Sequence, residues 1–185
     1  QQISTMIKDS LIPKITNIKL LVSDVDGVLT DGKILISSNK IESKFFSVED
    51  GTGVALARYA NLPIAMISGR YSECTAIRAK ELKIKNCFQN TLNKKKIIEQ
   101  LISTYSVSYD EIAYIGDSLV DLPVLEIVGF PICVPNSHKL VEGISEYITQ
   151  KKGGDGVLLE VVELILNIQK KYHDVLNQMK KDKFE

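Results

Sequence analysis

From Ile18 onward the chain alternates short β-rich runs with helical patterns, and this alternation limits the folds open to it. "IKLLVS" (Ile18 to Ser23), "LPIAMIS", "KNCFQ", "EIAYIG" and "GFPICVP" read as strands, and "GTGVALARYA", "ECTAIRAKELK", "KKKIIEQLISTY" and "SLVDLPVLEIV" as the helices between them. Strands separated by helices pair in parallel through right-handed crossovers. The expected fold is therefore α/β, a three-layer sandwich around a doubly wound parallel sheet, in a single domain with its core over about 18–169. One stretch departs from the alternation. "KILISS" and "SKFFSV", joined by the polar turn "SNKIE", predict a β-hairpin flap over about 32–48.

The chain finishes on one long predicted helix, about 156–181. In it Leu158, Val161, Ile165, Ile168, Tyr172, Val175 and Met179 alternate spacings of three and four, a heptad-like seam. Up to about Ile168 the seam is expected to pack on the sheet. Beyond it, the helix is expected either to meet another subunit or to fray.

Three of the apolar strands run into polar, glycine-bearing loops: "VSDVDG", "MISGR" and "YIGDSLVD". Ligands of an open parallel sheet bind outside the carboxyl ends of its strands. Asp24, Asp26, Ser68 and Asp117 should therefore converge at one edge. Carboxylates brought that close repel and are costly to desolvate. A cation resolves the conflict, and oxygen ligands without His or Cys suit Mg²⁺. Singly, each motif has a bland reading. "DVDG" can be a turn at a strand end, "SGR" a helix cap, "NKKK" a solvated helix face, and "GDSLVD" merely a helix start. A calcium loop would need Asp or Asn at Val28, Gly at Leu29 and a helix in front.

The bulk properties exclude several classes. Lys+Arg and Asp+Glu both number 23, and this balance argues against a nucleic-acid binder. No apolar run is long enough to span a membrane, and the start has no signal-peptide core. Cys74, Cys87 and Cys133 form no CxxC pair and read as buried thiols in a reducing compartment, so a cytoplasmic location is expected.

Taken in order, DxDG, Ser, Lys and GDxxxD resemble the haloacid dehalogenase superfamily of aspartate-nucleophile phosphatases. "LLVSDVDGVLTDG", "DGTG", "ISGR", "CFQNTLNK", "YIGDSLVDLPVL" and "KKGGDGVLLEVVELIL" are more narrowly similar to the 3-deoxy-D-manno-octulosonate 8-phosphate phosphatase family, over roughly Ile18 to Gln169. The resemblance implies Asp24 as nucleophile and Asp26 as general acid, then base. It implies Mg²⁺ held by Asp24, the backbone carbonyl of Asp26, and Asp117. Ser68 and Lys94 would hold the phosphoryl oxygens. Arg70 and Arg78 would sit near the substrate opening, or be helix-surface arginines paired with Glu73 or Glu81. Asp121 would support the metal through water, or be a surface acid.

The implied substrate is a small-molecule sugar-acid phosphate. The implied assembly is a homotetramer centred on the hairpins, with "KKGGDG" reaching a neighbouring site. Phosphatases of nine-carbon sugar acid 9-phosphates, a less selective sugar phosphatase and a non-catalytic oligomerisation module are the alternatives. Three positions depart from the family pattern: Glu49 stands where a cation is usual, Ser118 where a second Asp is usual, and Leu159 where the glycine-rich tail often continues to Arg. Glu49 should repel a substrate carboxylate unless Arg70, Arg78 or a neighbour's Lys151 or Lys152 neutralises it.

Overall fold

The computed structural model describes residues 7–184. Helix α1 (Ile12–Thr16) follows a 3-10 turn at Asp9–Leu11 and leads into β1 (Leu20–Ser23). The hairpin strands β2 (Leu35–Ile36) and β3 (Glu42–Ser43) come next. They are shorter than the sequence suggests: residues 37–41 form the turn between them, and Val48 already belongs to a helix. Then follow α2 (Val48–Tyr59), β4 (Ile64–Ile67), α3 (Glu73–Glu81), β5 (Asn86–Phe88) and α4 (Lys94–Tyr105). After these come β6 (Ile112–Gly116), α5 (Leu122–Leu125), β7 (Phe130–Cys133), α6 (Lys139–Ile144) and β8 (Tyr147–Ile148). Helices α7 (Val157–Ile168) and α8 (Tyr172–Phe184) close the chain.

Strands β5-β4-β1-β6-β7-β8 form one sheet in that order, every pair parallel. The period-two alternation of strands divides the core. Leu20 and Val22, Ala65 and Ile67, Ile112 and Tyr114 face Ile98 and Leu101 of α4, Val124 and Leu125 of α5, and Val141 of α6. Leu21, Met66, Ala113 and Ile115 face the opposite layer, drawn from α1, α2, α3, α7 and α8. Covering on both faces explains why these strands read as continuous apolar runs. The sheet winds outward in both directions from β1, so the crevice beyond β1, β4 and β6 is the switch point where such sheets bind ligands. Among the described residues no helix is long and apolar enough to cross a membrane.

The single terminal helix expected at about 156–181 is two helices. Lys170 adopts a left-handed backbone (φ 58°), and Lys171 N–H donates to the Leu166 carbonyl at 2.8 Å. This is a Schellman closure with lysine where glycine is usual. The Gln169 amide donates to the Ile18 carbonyl at 2.8 Å and fixes the corner. The second half of the seam is thus turned back onto the chain's own fold. Val175 and Met179 fold back into the same core as α2 and α7.

Candidate active site

β1 delivers the first carboxylate. Asp24 directly follows Ser23, and its N–H donates to the Ile115 carbonyl at 2.9 Å, continuing the pairing with β6. Lys94, the first residue of α4, reaches across with Nζ 2.7 Å from Asp24 Oδ1 and 2.7 Å from Asp121 Oδ1. All three are buried. Lysine is buried only when paired, and here burial, which lowers its pKa, is outweighed by Asp24 and Asp121, leaving the net shift upward.

Asp121 is the organiser. Tyr114 Oη donates to its Oδ1 at 2.5 Å, while the N–H groups of Asp117 and Ser118 donate to Oδ2 at 3.0 and 3.1 Å. With both oxygens committed and no exposure, Asp121 is not a surface acid. It holds Lys94 and the loop that presents Asp117.

Asp117 has the opposite character. Its Oδ1 is buried without a hydrogen-bond partner, a state that calls for a ligand. Oxygens of Asp24, Asp117 and Asp121 lie within 4.8 Å of one another. Burial first, then Asp121, pushes the Asp117 carboxyl up to about 6, and the same two causes raise Asp24 well above the ordinary range. A cluster short of positive charge, with oxygen donors alone and one orphaned buried oxygen, fits Mg²⁺. Gly27 makes the room: its φ is 97°, and a Cβ there would stand 2.0 Å from Asp117 Oδ2.

Ser68 follows β4 on the neighbouring strand. Its hydroxyl donates to the Arg70 carbonyl at 2.9 Å, and its N–H donates to the Phe88 carbonyl at 2.8 Å. Asp26 is two residues past Asp24, and Lys44 Nζ lies 2.6 Å from its Oδ1. Arg70 pairs with Glu42 on the hairpin, not with Glu73. Arg78 takes the bland pairing: it bonds Glu81 at 3.2 Å and the Ser47 carbonyl at 2.9 Å, beside the Phe46 ring.

Lys44 and Glu42 were not singled out in the sequence. A signal was available, because residues two apart on an extended strand share a face, and "ESK" puts both charges toward the site side of the flap. The tail loop meets the chain's own first motif. Gly154 N–H donates to the Val28 carbonyl at 3.0 Å, and a Cβ on Gly153 would stand 1.9 Å from the Gly27 carbonyl oxygen. Glu49 is paired with Lys151 of its own chain.

Residues 61–161 match the family model described as haloacid dehalogenase-like hydrolase. The chain is 36% identical over 168 residues to the 3-deoxy-D-manno-octulosonate 8-phosphate phosphatase KdsC of Escherichia coli (strain K12), covering 91% of this chain and 89% of that protein. This chain belongs to that phosphatase family. The crystal structure of the Moraxella catarrhalis phosphatase, in complex with magnesium ion, phosphate ion and a KDO molecule, superimposes with a TM-score of 0.88. It is 37% identical and covers 92% of this chain and 98% of that one. The cobalt-bound Haemophilus influenzae phosphatase superimposes with a TM-score of 0.82 at 34% identity, covering 86% and 93%.

Proposed function

We propose that this chain is a Mg²⁺-dependent phosphatase that hydrolyses 3-deoxy-D-manno-octulosonate 8-phosphate through an aspartyl-phosphate. The observation that carries the reading is the pairing of one buried lysine with Asp24 beside the orphaned oxygen of Asp117. Bound Mg²⁺, held by Asp24, the Asp26 carbonyl and Asp117, supplies the positive charge that lets two anions approach. A non-catalytic module has no use for such a cluster.

In this reading Asp24 attacks phosphorus in line, and Asp26 gives a proton to the departing sugar oxygen. Water then attacks the acyl phosphate, and Asp26 takes its proton. Lys94 and the Ser68 hydroxyl bind the phosphoryl oxygens, which requires Ser68 to turn its hydroxyl away from Arg70. Arg70, at the hairpin mouth, meets the sugar acid. Arg78, engaged by Ser47 and Glu81, is left out of that role. Lys151 offsets the charge of Glu49, so a carboxylated substrate is not turned away. Free thiols at Cys74, Cys87 and Cys133 suit the cytoplasm.

A homotetramer is supported by the apolar side chains the hairpin leaves in water. Leu35, Ile36 and Ile41 are exposed, Phe45 is 84% exposed, and Val48, at the start of α2, is 83% exposed.

The test is phosphate release from a panel containing this eight-carbon substrate, a nine-carbon sugar acid 9-phosphate and a neutral hexose phosphate, with Mg²⁺ and with EDTA. The expected result is the highest kcat/KM on the octulosonate, lost on chelation and lost in Asp24→Asn. A preference for the nine-carbon or neutral substrate overturns the substrate assignment, and activity in Asp24→Asn overturns the mechanism.

A further inference from the structure

We propose that Lys44 is a positioning residue for Asp26: it fixes carboxyl oxygen Oδ1, leaves Oδ2 to exchange the proton, and is itself held in place by Glu42. The proposal rests on the acid-base reading of Asp26.

Lys44 comes directly after β3, at the base of the hairpin. Its side chain is fully shielded from solvent, with Nζ 2.6 Å from Asp26 Oδ1 and 3.7 Å from Glu42 Oε1. A lysine so placed is there for its partners, since an unpaired buried ammonium is costly. Glu42 is tied to the loop after β4. Its Oε2 pairs with the Arg70 guanidinium, and its Oε1 accepts from Ser72 Oγ at 2.6 Å. Arg70, then Ser72, hold the Glu42 carboxyl down at about 2. Glu42 therefore stays an anion across the working range of pH. The line Ser72 and Arg70, Glu42, Lys44, Asp26 runs from one loop of the sheet, through the flap, to the first motif.

The chemistry explains why Asp26 needs such a brace. In the first step the bond from Asp24 to phosphorus forms and the bond from phosphorus to the sugar oxygen breaks. The proton on Asp26 Oδ2 passes to that oxygen. In the second step water oxygen bonds to phosphorus, the bond from Asp24 to phosphorus breaks, and a water proton returns to Oδ2. Both transfers need the same oxygen aimed at the same place. A carboxyl free to turn about its Cβ–Cγ bond presents either oxygen. A charge-assisted hydrogen bond to Oδ1 removes that freedom, which is the pre-orientation that makes proton transfer efficient.

The bland reading is that Lys44 only anchors the hairpin, and leaving-group dependence separates the two. A sugar alkoxide must be protonated as it departs, whereas p-nitrophenolate leaves unassisted. The measurement is the first-turnover rate of leaving-group release by rapid quench, with Mg²⁺, for 3-deoxy-D-manno-octulosonate 8-phosphate and p-nitrophenyl phosphate. For Lys44→Met the expected rate on the sugar phosphate falls ~10–100-fold, part of the ~10²–10⁴-fold an acid-base group supplies. The rate on the aryl phosphate and KM for the sugar phosphate should change less than about threefold, as expected when ground-state binding is untouched. Lys44→Arg should recover most of the loss, and Glu42→Gln should show a smaller loss in the same direction.

Equal losses on both substrates overturn the proposal. Asp26→Asn, run in parallel, identifies where the failure lies. If it discriminates between the leaving groups and Lys44→Met does not, the positioning role alone is wrong. If neither discriminates, the acid-base assignment of Asp26 is wrong and the positioning role falls with it.

Discussion

Asp121 shows how much one residue can organise without touching substrate. It takes hydrogen bonds from Lys94, Tyr114 and two backbone amides, so its removal strands a buried lysine beside Asp24 alone. Asp121→Ala should destabilise the fold by about 3–5 kcal/mol, the usual cost of breaking a buried pair. It should also weaken Mg²⁺ binding, because the Asp117 loop loses its anchor. Urea unfolding and metal titration measure the two effects, and an unchanged unfolding midpoint would contradict the role given to it. This residue was only half legible in the sequence. "GDSLVD" marked Asp117 as the more obvious ligand, but nothing in the spacing told a saturated buried organiser from a surface acid. That distinction depends on Tyr114 and Lys94, seven residues before and 27 residues before.

At the scale of elements, Asp50 in the first turn of α2 holds α7. Its Oδ1 accepts from the Leu158 N–H at 3.0 Å, satisfying a free amide at that helix start, while Oδ2 is buried without a partner. Burial pushes the carboxyl up to about 6. In the unfolded chain it ionises near ~4. Between those values the folded state binds more protons, so this contribution to stability is greatest below pH 4 and declines as pH rises to about 6. The loss is on the order of 3 kcal/mol. Asp50→Asn keeps an acceptor for Leu158 and cannot ionise, so its melting temperature relative to wild type should climb from pH 4 to pH 7. A pH-independent difference would count against this. Helix ends show what the sequence withheld. α2, α3, α4 and α7 each close through a left-handed residue, at Asn61, Lys83, Ser106 and Lys170. None is glycine, so no punctuation separates α7 from α8. Strands β1 and β4 to β7, with helices α2 to α5, were readable from the alternation of apolar runs and helical patterns, whereas α1, α6 and the short β8 were not. Lys170→Gly should relieve left-handed strain of roughly 1 kcal/mol, offset in part by unfolded-state entropy. A rise in the urea midpoint would register it.

At the scale of the whole molecule, the proposed homotetramer rests on the flap. Phe45→Asp with Val48→Asp should break that assembly into smaller species by sedimentation at micromolar concentration, with secondary structure retained, because neither side chain is part of the core. An unaltered sedimentation coefficient would place the subunit contacts elsewhere. The tail loop carries a different consequence, one of timing. Gly153 and Gly154 lie directly on Gly27 and Val28, Lys151 meets Glu49, and Leu158 meets Asp50. Every one of these contacts joins parts of the chain more than a hundred positions apart. A ribosome releases the first motif long before its brace. A nascent chain that has emerged only to about residue 150 has Asp24, Lys94 and Asp121, but not the backbone that supports the loop around Gly27. Catalytic competence should thus be acquired late and abruptly during synthesis, leaving unfinished chains inert toward phosphorylated sugars.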